Sequence, residues 1–203
     1  MTPQLELPLF PLGTVLFKNG RLPLHVFEPR YVNMIERAIQ TDTGFGVVLL
    51  REGGEVHESG TTGVPPIYRV GTLASIGEHT RLSDGRYKIV AEGGAKISIE
   101  NAWEQDDHLC MAHVRVEMDE PKADIRESDK RLVDVLKQVV EATRSRGYVI
   151  DVDFEDASSV SMRLAEHIMM DVHYRQQLLE VSNAHRRLDL IWEWLHENSM
   201  RDG

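Results

Sequence analysis

Residues 7–39, LPLFPLGTVLFKNGRLPLHVFEPRYVNMIERAI, join two short apolar segments to an amphipathic segment. Proline and glycine interrupt the first two segments, which favours short strands over a helix. Pro29 suits the first position of a helix, because the N–H that proline lacks has no partner there in any helix. The apolar residues after it recur at helical spacing on adjoining stripes: Val32, Ile35 and Ile39 beside Met34 and Ala38. The stretch therefore predicts two strands followed by a helix that begins at Pro29.

The chain as far as residue 120 continues in short apolar runs separated by glycine and proline, a pattern typical of β-structure. Every second residue from Cys110 to Met118 is apolar, which predicts a half-buried strand with those residues inside. Asp84-Gly85 predicts a hairpin turn, because both residues tolerate a positive φ. Gly93-Gly94 predicts a bulge within one long ribbon. Many short strands with one inserted helix predict a closed or nearly closed small β-barrel.

In the second half of the chain the apolar residues change to helical spacing. The first such series runs from Leu132 to Thr143, and Gly147 is a suitable C-terminal stop. Three further helices are predicted from side chains that suit the N-cap position: Ser158, Asp171 and Ser182. The sequence therefore predicts an α+β fold, with a β-barrel subdomain over residues 1–120 and a helical bundle over residues 121–203.

The composition is acidic, with 33 acidic and 23 basic residues and a formal net charge of −10. Such a surface repels phosphate backbones over a Debye length, which argues against non-specific binding of nucleic acid. No apolar run approaches the roughly 20 residues that span a bilayer, and the N-terminus lacks a basic stretch before an apolar core. Cys110 is the only cysteine, which suits a reducing compartment. We therefore expect a cytoplasmic protein that binds neither membranes nor nucleic acid.

Motifs of common enzyme classes are missing from the sequence. No glycine–lysine pair occurs, so the chain has no phosphate-binding loop of the G-x-x-x-x-G-K-[ST] kind. Leu49 stands where a dinucleotide fingerprint that begins at Gly44 needs its third glycine, and Leu73 stands where a nucleophile elbow at Ser75 needs one. We expect no catalytic residues, no cofactor and no enzymatic activity. A small hydrolase stays open as an alternative, because histidine, aspartate and serine are abundant without a distinctive spacing.

Two groups of residues are candidates for metal binding. Within residues 108–113, the alternation turns Cys110 inward and His113 outward, so a regular strand does not bring both to one ion. His167 and Asp171 share a face only if one helix runs through both. Asp171 fits better as a cap between two helices, and we therefore predict no metal site.

The segment LPLHVFEPRY (22–31) resembles the strand-to-helix segment of the amino-terminal, substrate-binding domain family of Lon proteases. The segments FGVVLL (45–50), VGTLASI (70–76) and LLEVSNAHRRLDLIWEWL (178–195) extend the resemblance to nearly the whole chain. The resemblance implies a PUA-like β-barrel followed by a helical subdomain, and a role in recognising protein substrates or partners. It also implies a free-standing member, because 203 residues leave no room for the ATPase and peptidase domains of full Lon proteases.

The chain departs from the family pattern at two places. Lys18 stands where a proline is usual after the phenylalanine, which implies a small adjustment of the turn. Residues 167–177, HIMMDVHYRQQ, stand where the family commonly has a proline-containing turn. Details of the family are therefore not carried over to this second segment.

Phe27, Glu28, Arg30 and Tyr31 are the candidate protein-binding residues. An aromatic anchor surrounded by polar groups is typical of strong binding sites, and His25, Glu28 and Arg30 suit a polar rim around an exposed Phe27 or Tyr31. The structural alternative is that Glu28 and Arg30 pair with each other and fix the corner between strand and helix.

We expect the partner to be another protein or an unfolded peptide segment, held in a groove or added to an exposed strand edge. Binding of RNA is the alternative, because PUA-like barrels often contact RNA. The basic runs at residues 144–146 and 185–187 are short for an RNA-binding surface. The sequence predicts neither the identity of the partner nor the oligomeric state.

Three apolar features near the C-terminus bear on a contact surface. Trp192 lies on the apolar stripe of the last predicted helix, so we expect it in the core. Trp194 lies off that stripe, and its exposure would indicate a contact surface. For Met169-Met170 we expect ordinary packing.

Overall fold

The structure, a computed structural model, describes residues 4–51, 63–145 and 149–199. The chain divides into two compact units, Met1–Asp119 and Glu120–Gly203. Among the described residues, the first unit holds six strands and one helix, and the second holds four α-helices. The molecule is therefore an α+β protein, as the periodicity predicts. No helix in the described ranges combines the length and the hydropathy that crossing a bilayer requires.

The strands of the first unit form one sheet around a central long strand. Its elements, in chain order, are β1 Gln4–Leu12, β2 Arg21–Val26, α1 Pro29–Thr41, β3 Phe45–Leu50, β4 Ile67–Arg81, β5 Tyr87–Glu104 and β6 Cys110–Val116. β5 pairs with β2, β4 and β6, and β1 pairs with β3 in parallel and with β6 in antiparallel orientation. The pairings β5–β4–β3–β1–β6 thus return to β5, and β2 lies at an edge of the sheet.

Two glycine-containing features fix the path of β4 and β5. At Asp84-Gly85 the Leu82 N–H donates to the Arg86 carbonyl at 2.8 Å and Gly85 has a φ of 85°, which confirms the predicted hairpin. Opposite Gly93 the register between β4 and β5 shifts by one residue, which confirms the predicted bulge. A side chain at Gly93 would lie 2.1 Å from the carbonyl oxygen of Phe17, so the close approach requires glycine.

α1 begins at Pro29, as predicted, and packs its apolar stripe on the sheet. Ala38 is buried, and Tyr31, Met34 and Ile35 are buried in a cluster with Phe10, Phe45 and Ile89. Each such side chain contributes roughly 1.5–3 kcal/mol on full burial. A helix with this stripe is stable here because the sheet removes the stripe from water.

β6 confirms most of its predicted alternation, because Cys110, Ala112 and Val114 are buried in a second cluster. The prediction is wrong at its end. β6 stops at Val116, and the Met118 side chain beyond it is 91% exposed. Alternation holds an apolar residue inside only as long as the strand stays paired.

The second unit is a set of helices: α2 Lys130–Arg144, α3 Ala157–His167, α4 Val172–Glu180 and α5 Ala184–Ser199. A short 3₁₀ turn, Glu127–Asp129, precedes α2. The first predicted helix is confirmed, whereas its predicted stop at Gly147 lies outside the described residues. Among these elements α3 packs against α2, α4 and α5.

One of the three predicted helix caps is confirmed and two are wrong. Asp171 caps α4, since its side chain accepts from the N–H groups of His173 and Tyr174. α3 is capped by Asp156, which accepts from the Ser158 N–H at 3.1 Å, while the Ser158 hydroxyl donates to Glu120. α5 begins at Ala184, and Asn183, in place of Ser182, accepts from the Arg186 N–H at 2.9 Å. Aspartate and asparagine cap as well as serine does, so neighbouring residues of these types compete for the position.

A buried ion pair connects the ends of the helical unit. The Arg187 side chain of α5 is 1% exposed and pairs with Glu120, which is 67 residues away in the chain. Arg187 also donates to the carbonyl of Leu178 and to the hydroxyl of Ser161, each at 2.9 Å. The guanidinium therefore has several acceptors in the interior, as a buried charge requires.

Candidate functional site

Phe27 is an exposed aromatic side chain at the point where β2 ends. Its side chain is 53% exposed, whereas Val26 before it is buried. Phe27 borders a pocket of about 260 Å³ beside the β4–β5 hairpin. We call this the Phe27 pocket, and it is lined by His25, Val26, Phe27, Leu82, Arg86, Tyr87 and Lys88. The first residue of the predicted site is thus available for contact with a partner.

Glu28 and Arg30 pair with each other at the start of α1. The Arg30 Nη2 lies 2.9 Å from the Glu28 Oε2, and both side chains are mostly buried. The Arg30 Nη1 also donates to the carbonyl oxygen of His108, in the turn between β5 and β6, at 2.8 Å. His108 has a φ of 63°, so this turn presents its carbonyl from a left-handed residue. The contacts fit the structural alternative, in which the pair fixes the corner between β2 and α1.

Tyr31 lies in the core of the first unit. Its side chain is 3% exposed and its ring stacks on that of Phe10, with the centroids 4.2 Å apart. The Arg30 guanidinium lies 4.5 Å from the centroid of the Tyr31 ring, which adds a cation–π contact. The four candidate residues therefore meet at one corner, where Phe27 alone has a widely exposed side chain.

The sequence singled out His25 as part of a polar rim, but it did not single out Arg86 and Lys88, the other basic residues of the Phe27 pocket. His25 on β2 lies opposite Lys88 on β5 in the antiparallel register, and both are exposed. Arg86 forms an ion pair with Asp84 across the hairpin turn, and this hydrogen bond raises the pKa of Arg86 and lowers that of Asp84. Arg86 and Lys88 follow the Asp84-Gly85 turn in the sequence, and this position is the signal that could have identified them. A hairpin places the residues that flank its turn beside a neighbouring strand.

Cys110 and His113 face opposite sides of β6, as predicted. Cys110 is 2% exposed, and burial raises the pKa of its thiol to about 11. The ring of His113 lies on the other face, 4.8 Å from that of Trp103. Within the described ranges, no group of three or more histidine, cysteine, aspartate or glutamate side chains is arranged to hold a metal ion.

His167 and Asp171 belong to different helices, which confirms the interpretation of Asp171 as a cap. α3 ends at His167, and α4 begins after Asp171. Burial lowers the pKa of His167, and the positive charges of Arg163 and Arg175 add to the effect while Glu166 opposes it. Arg163, Glu166 and His167 lie at the end of α3, and Arg175 lies on α4.

The apolar residues near the C-terminus differ in part from the prediction. Trp192 is only partly buried, with its ring edge-on to His196 at 4.3 Å, so its assignment to the core is wrong. Trp194 is also partly buried and lies 6.4 Å from the ring of Tyr174. Met169 is 93% exposed in the short link between α3 and α4, so ordinary packing is wrong for it. Between two helix ends a side chain has few neighbours to cover it.

Comparison with known proteins identifies relatives over nearly the whole chain. Lon protease 2 of Herpetosiphon aurantiacus is 30% identical over 190 residues, which are 91% of this chain and 23% of that protein. The Lon protease of Rhizobium meliloti is 27% identical over 188 residues, 90% of this chain and again 23% of the relative. The chain thus spans less than a quarter of the length of these relatives.

Solved structures show the same fold. The crystal structure of a Lon N-terminal domain protein from Xanthomonas campestris matches with a TM-score of 0.77 and 26% identity, over 94% of this chain and 98% of that one. The N-terminal domain of the Mycobacterium avium complex Lon protease has a TM-score of 0.59 at 16% identity, over 93% and 97% of the two chains. At that identity the second match concerns the fold alone.

A sequence model of the family described as the ATP-dependent protease La (LON) substrate-binding domain matches residues 6–197. This match confirms the resemblance first seen in the segment LPLHVFEPRY (22–31). The protein belongs to the LON substrate-binding domain family.

Proposed function

We propose that this protein is a non-catalytic module that binds extended or unfolded segments of other proteins. Its family is named for substrate binding, and that general role supports the proposal. The main structural observation in support of the proposal is that Phe27 is 53% exposed and borders a pocket. An exposed aromatic side chain beside a concave surface is typical of an anchor for a partner.

The corner that carries Phe27 is held in place before any partner binds. The Glu28–Arg30 pair and the hydrogen bond from Arg30 to the His108 carbonyl connect the start of α1 to the β5–β6 turn. A side chain on a rigid support loses less conformational entropy on binding than one on a mobile loop. In this proposal Glu28, Arg30 and Tyr31 contribute by positioning Phe27.

β2 offers a second means of holding an extended segment. It lies at an edge of the sheet and pairs with β5. Pro23, in the middle of β2, is in keeping with an edge strand, because proline lacks one N–H of the ladder. An extended peptide added beside β2 would gain main-chain hydrogen bonds and reach Phe27 with one side chain.

We also propose that the strands of residues 1–120 form a small PUA-like barrel and that residues 121–203 form a separate helical subdomain. The return of the strand pairings to β5 supports the first part, and the two compact units support the second. A cytoplasmic location belongs to the same proposal, since the single cysteine is a buried free thiol.

A phenylalanine-to-alanine substitution tests the binding proposal. We expect Phe27→Ala to weaken binding of an unfolded protein such as β-casein by roughly five- to thirtyfold, because an aromatic anchor contributes about 1–2 kcal/mol. Binding is measured by fluorescence anisotropy of labelled casein. Met118→Ala is the matched control, because Met118 is an exposed apolar side chain of the same unit and does not line the pocket.

Two outcomes would contradict the proposal. The first is absence of casein binding by the unaltered protein. The second is an equal loss of affinity in the Phe27→Ala and Met118→Ala variants, which would point to a diffuse apolar effect. Circular dichroism of both variants checks that each keeps the native fold.

A further inference from the structure

We propose that the Phe27 pocket selects peptide segments in which an acidic side chain lies next to an apolar one. This inference rests on the proposed function and specifies the chemistry of the bound segment. It comes from the two kinds of side chain that line the pocket, the apolar Val26, Phe27, Leu82 and Tyr87 and the basic His25, Arg86 and Lys88.

The apolar lining of the pocket is suited to a single side chain. Phe27 and Leu82 are at least partly exposed, while Val26 and Tyr87, which also line the pocket, are buried. The volume of about 260 Å³ lies below the range of roughly 300–1,000 Å³ that is typical of sites for small-molecule ligands. One apolar side chain of a peptide fills such a space, and the rest of the peptide lies outside it.

The basic lining of the pocket includes a lysine that is not neutralised within the described part of the chain. Lys88 forms no ion pair with a described acidic side chain, and neither does His25 opposite it. Arg21 on β2 pairs with the carboxylates of two nearby acidic residues, Glu78 on β4 and Glu92 on β5. Lys88 thus keeps its positive charge available beside an apolar pocket.

The charge of the whole chain makes this local arrangement selective. With a formal net charge of −10, the protein repels segments that carry many acidic residues. A single carboxylate beside an apolar side chain feels less of this repulsion and reaches the Lys88 ammonium, with the His25 imidazole as a second donor. We therefore expect selection for isolated acidic residues next to apolar ones, and a preference that weakens with salt.

Two labelled peptides that differ in one side chain test the inference. One short peptide contains a central Phe-Asp pair between neutral residues, and the other has Phe-Asn at the same place. We expect the aspartate peptide to bind the full-length protein roughly two- to fivefold more tightly by fluorescence anisotropy, as a solvent-exposed ion pair allows. Lys88→Gln should bring this ratio to about one. Lys137→Gln, which removes another exposed lysine in the second unit, should leave it unchanged.

The outcomes separate this inference from the proposed function. Equal binding of both peptides, with Phe27→Ala still weakening each of them, would overturn the acidic preference and leave the peptide-binding proposal standing. A preference for aspartate that persists in Lys88→Gln would also overturn the inference. Failure of either peptide and of casein to bind would overturn both proposals.

Discussion

Arg187 illustrates how far a single side chain can depart from what its sequence context indicates. In the sequence it belongs to a short basic run, residues 185–187, which was weighed as part of an RNA-binding surface. In the structure its side chain is buried and pairs with Glu120. The pairing partner is 67 residues away, and local sequence contains no signal of so distant a contact.

Removal of the Arg187 guanidinium should destabilise the protein strongly. We expect Arg187→Met to lower the free energy of unfolding by about 3–5 kcal/mol, because the Glu120 carboxylate is left buried without its partner. Urea denaturation followed by circular dichroism measures the change. Arg186→Met is the control: Arg186 is the exposed neighbour whose ion pair with Glu193, at 3.3 Å, is worth no more than about 1 kcal/mol. Similar losses in both variants would refute a special role for the buried pair.

At the scale of single residues, the sequence predicted part of the candidate site. FEPRY identified the right corner of the molecule, but it did not show which aromatic residue faces water. Phe27 precedes the helix and is 53% exposed, whereas Tyr31 lies in the first turn of α1 and stacks on Phe10. The sequence did not predict Lys88 as a site residue, because only the pairing of β5 with β2 places it opposite His25.

At the scale of elements, helices were predicted better in their number than in their ends. The apolar spacing predicted α1 to α5, since helical periodicity is a local property of the sequence. The caps of α3 and α5 were misassigned because Asp156 and Asn183 suit the position as well as Ser158 and Ser182 do. The choice between them depends on packing of the whole helix.

The end of α3 should make stability depend on pH through His167. Burial lowers its pKa below the ordinary value of 6.5 in the folded state, with Glu166 opposing this shift and Arg163 and Arg175 adding to it. The unfolded state therefore binds a proton more readily, so stability is full above about pH 6.5 and falls as the pH falls toward the lowered pKa. His167→Gln should flatten the dependence of the unfolding free energy on pH below about pH 6.5.

The matched control for this measurement is His79→Gln. His79 is exposed on β4, so its replacement removes a histidine without removing a buried one. Denaturant unfolding at a series of pH values gives both slopes. An unchanged slope in His167→Gln would show that protonation of this histidine does not oppose folding.

At the scale of the whole molecule, the net charge predicts how the protein behaves toward RNA. With a charge of −10 we expect no saturable binding of single-stranded RNA in a filter-binding assay at low salt. The measurement separates the peptide-binding proposal from an RNA-binding function of a PUA-like barrel. Retention of RNA that weakens steeply as salt is added would contradict the expectation, because that is the signature of phosphate contacts.

The class of the whole fold was predictable, whereas the connections within the sheet were not. Alternation and turn residues predicted strands followed by helices, which the α+β structure confirms. No local pattern predicts that β5 pairs with three other strands, or that β1 lies between β3 and β6. These pairings join residues far apart in the chain, and the apolar strands alone are compatible with several arrangements.

The position of β1 between β3 and β6 has a consequence for synthesis on the ribosome. Residues 45–50 emerge early and supply one neighbour of β1, but the other neighbour is made only with residues 110–116. At about 5–20 residues per second, roughly 3–12 s pass between the two events. During that interval the nascent chain carries an open β1 edge, to which other polypeptides can add. The protein that we propose to bind extended segments therefore exposes, during its own synthesis, a strand edge to which such segments can add.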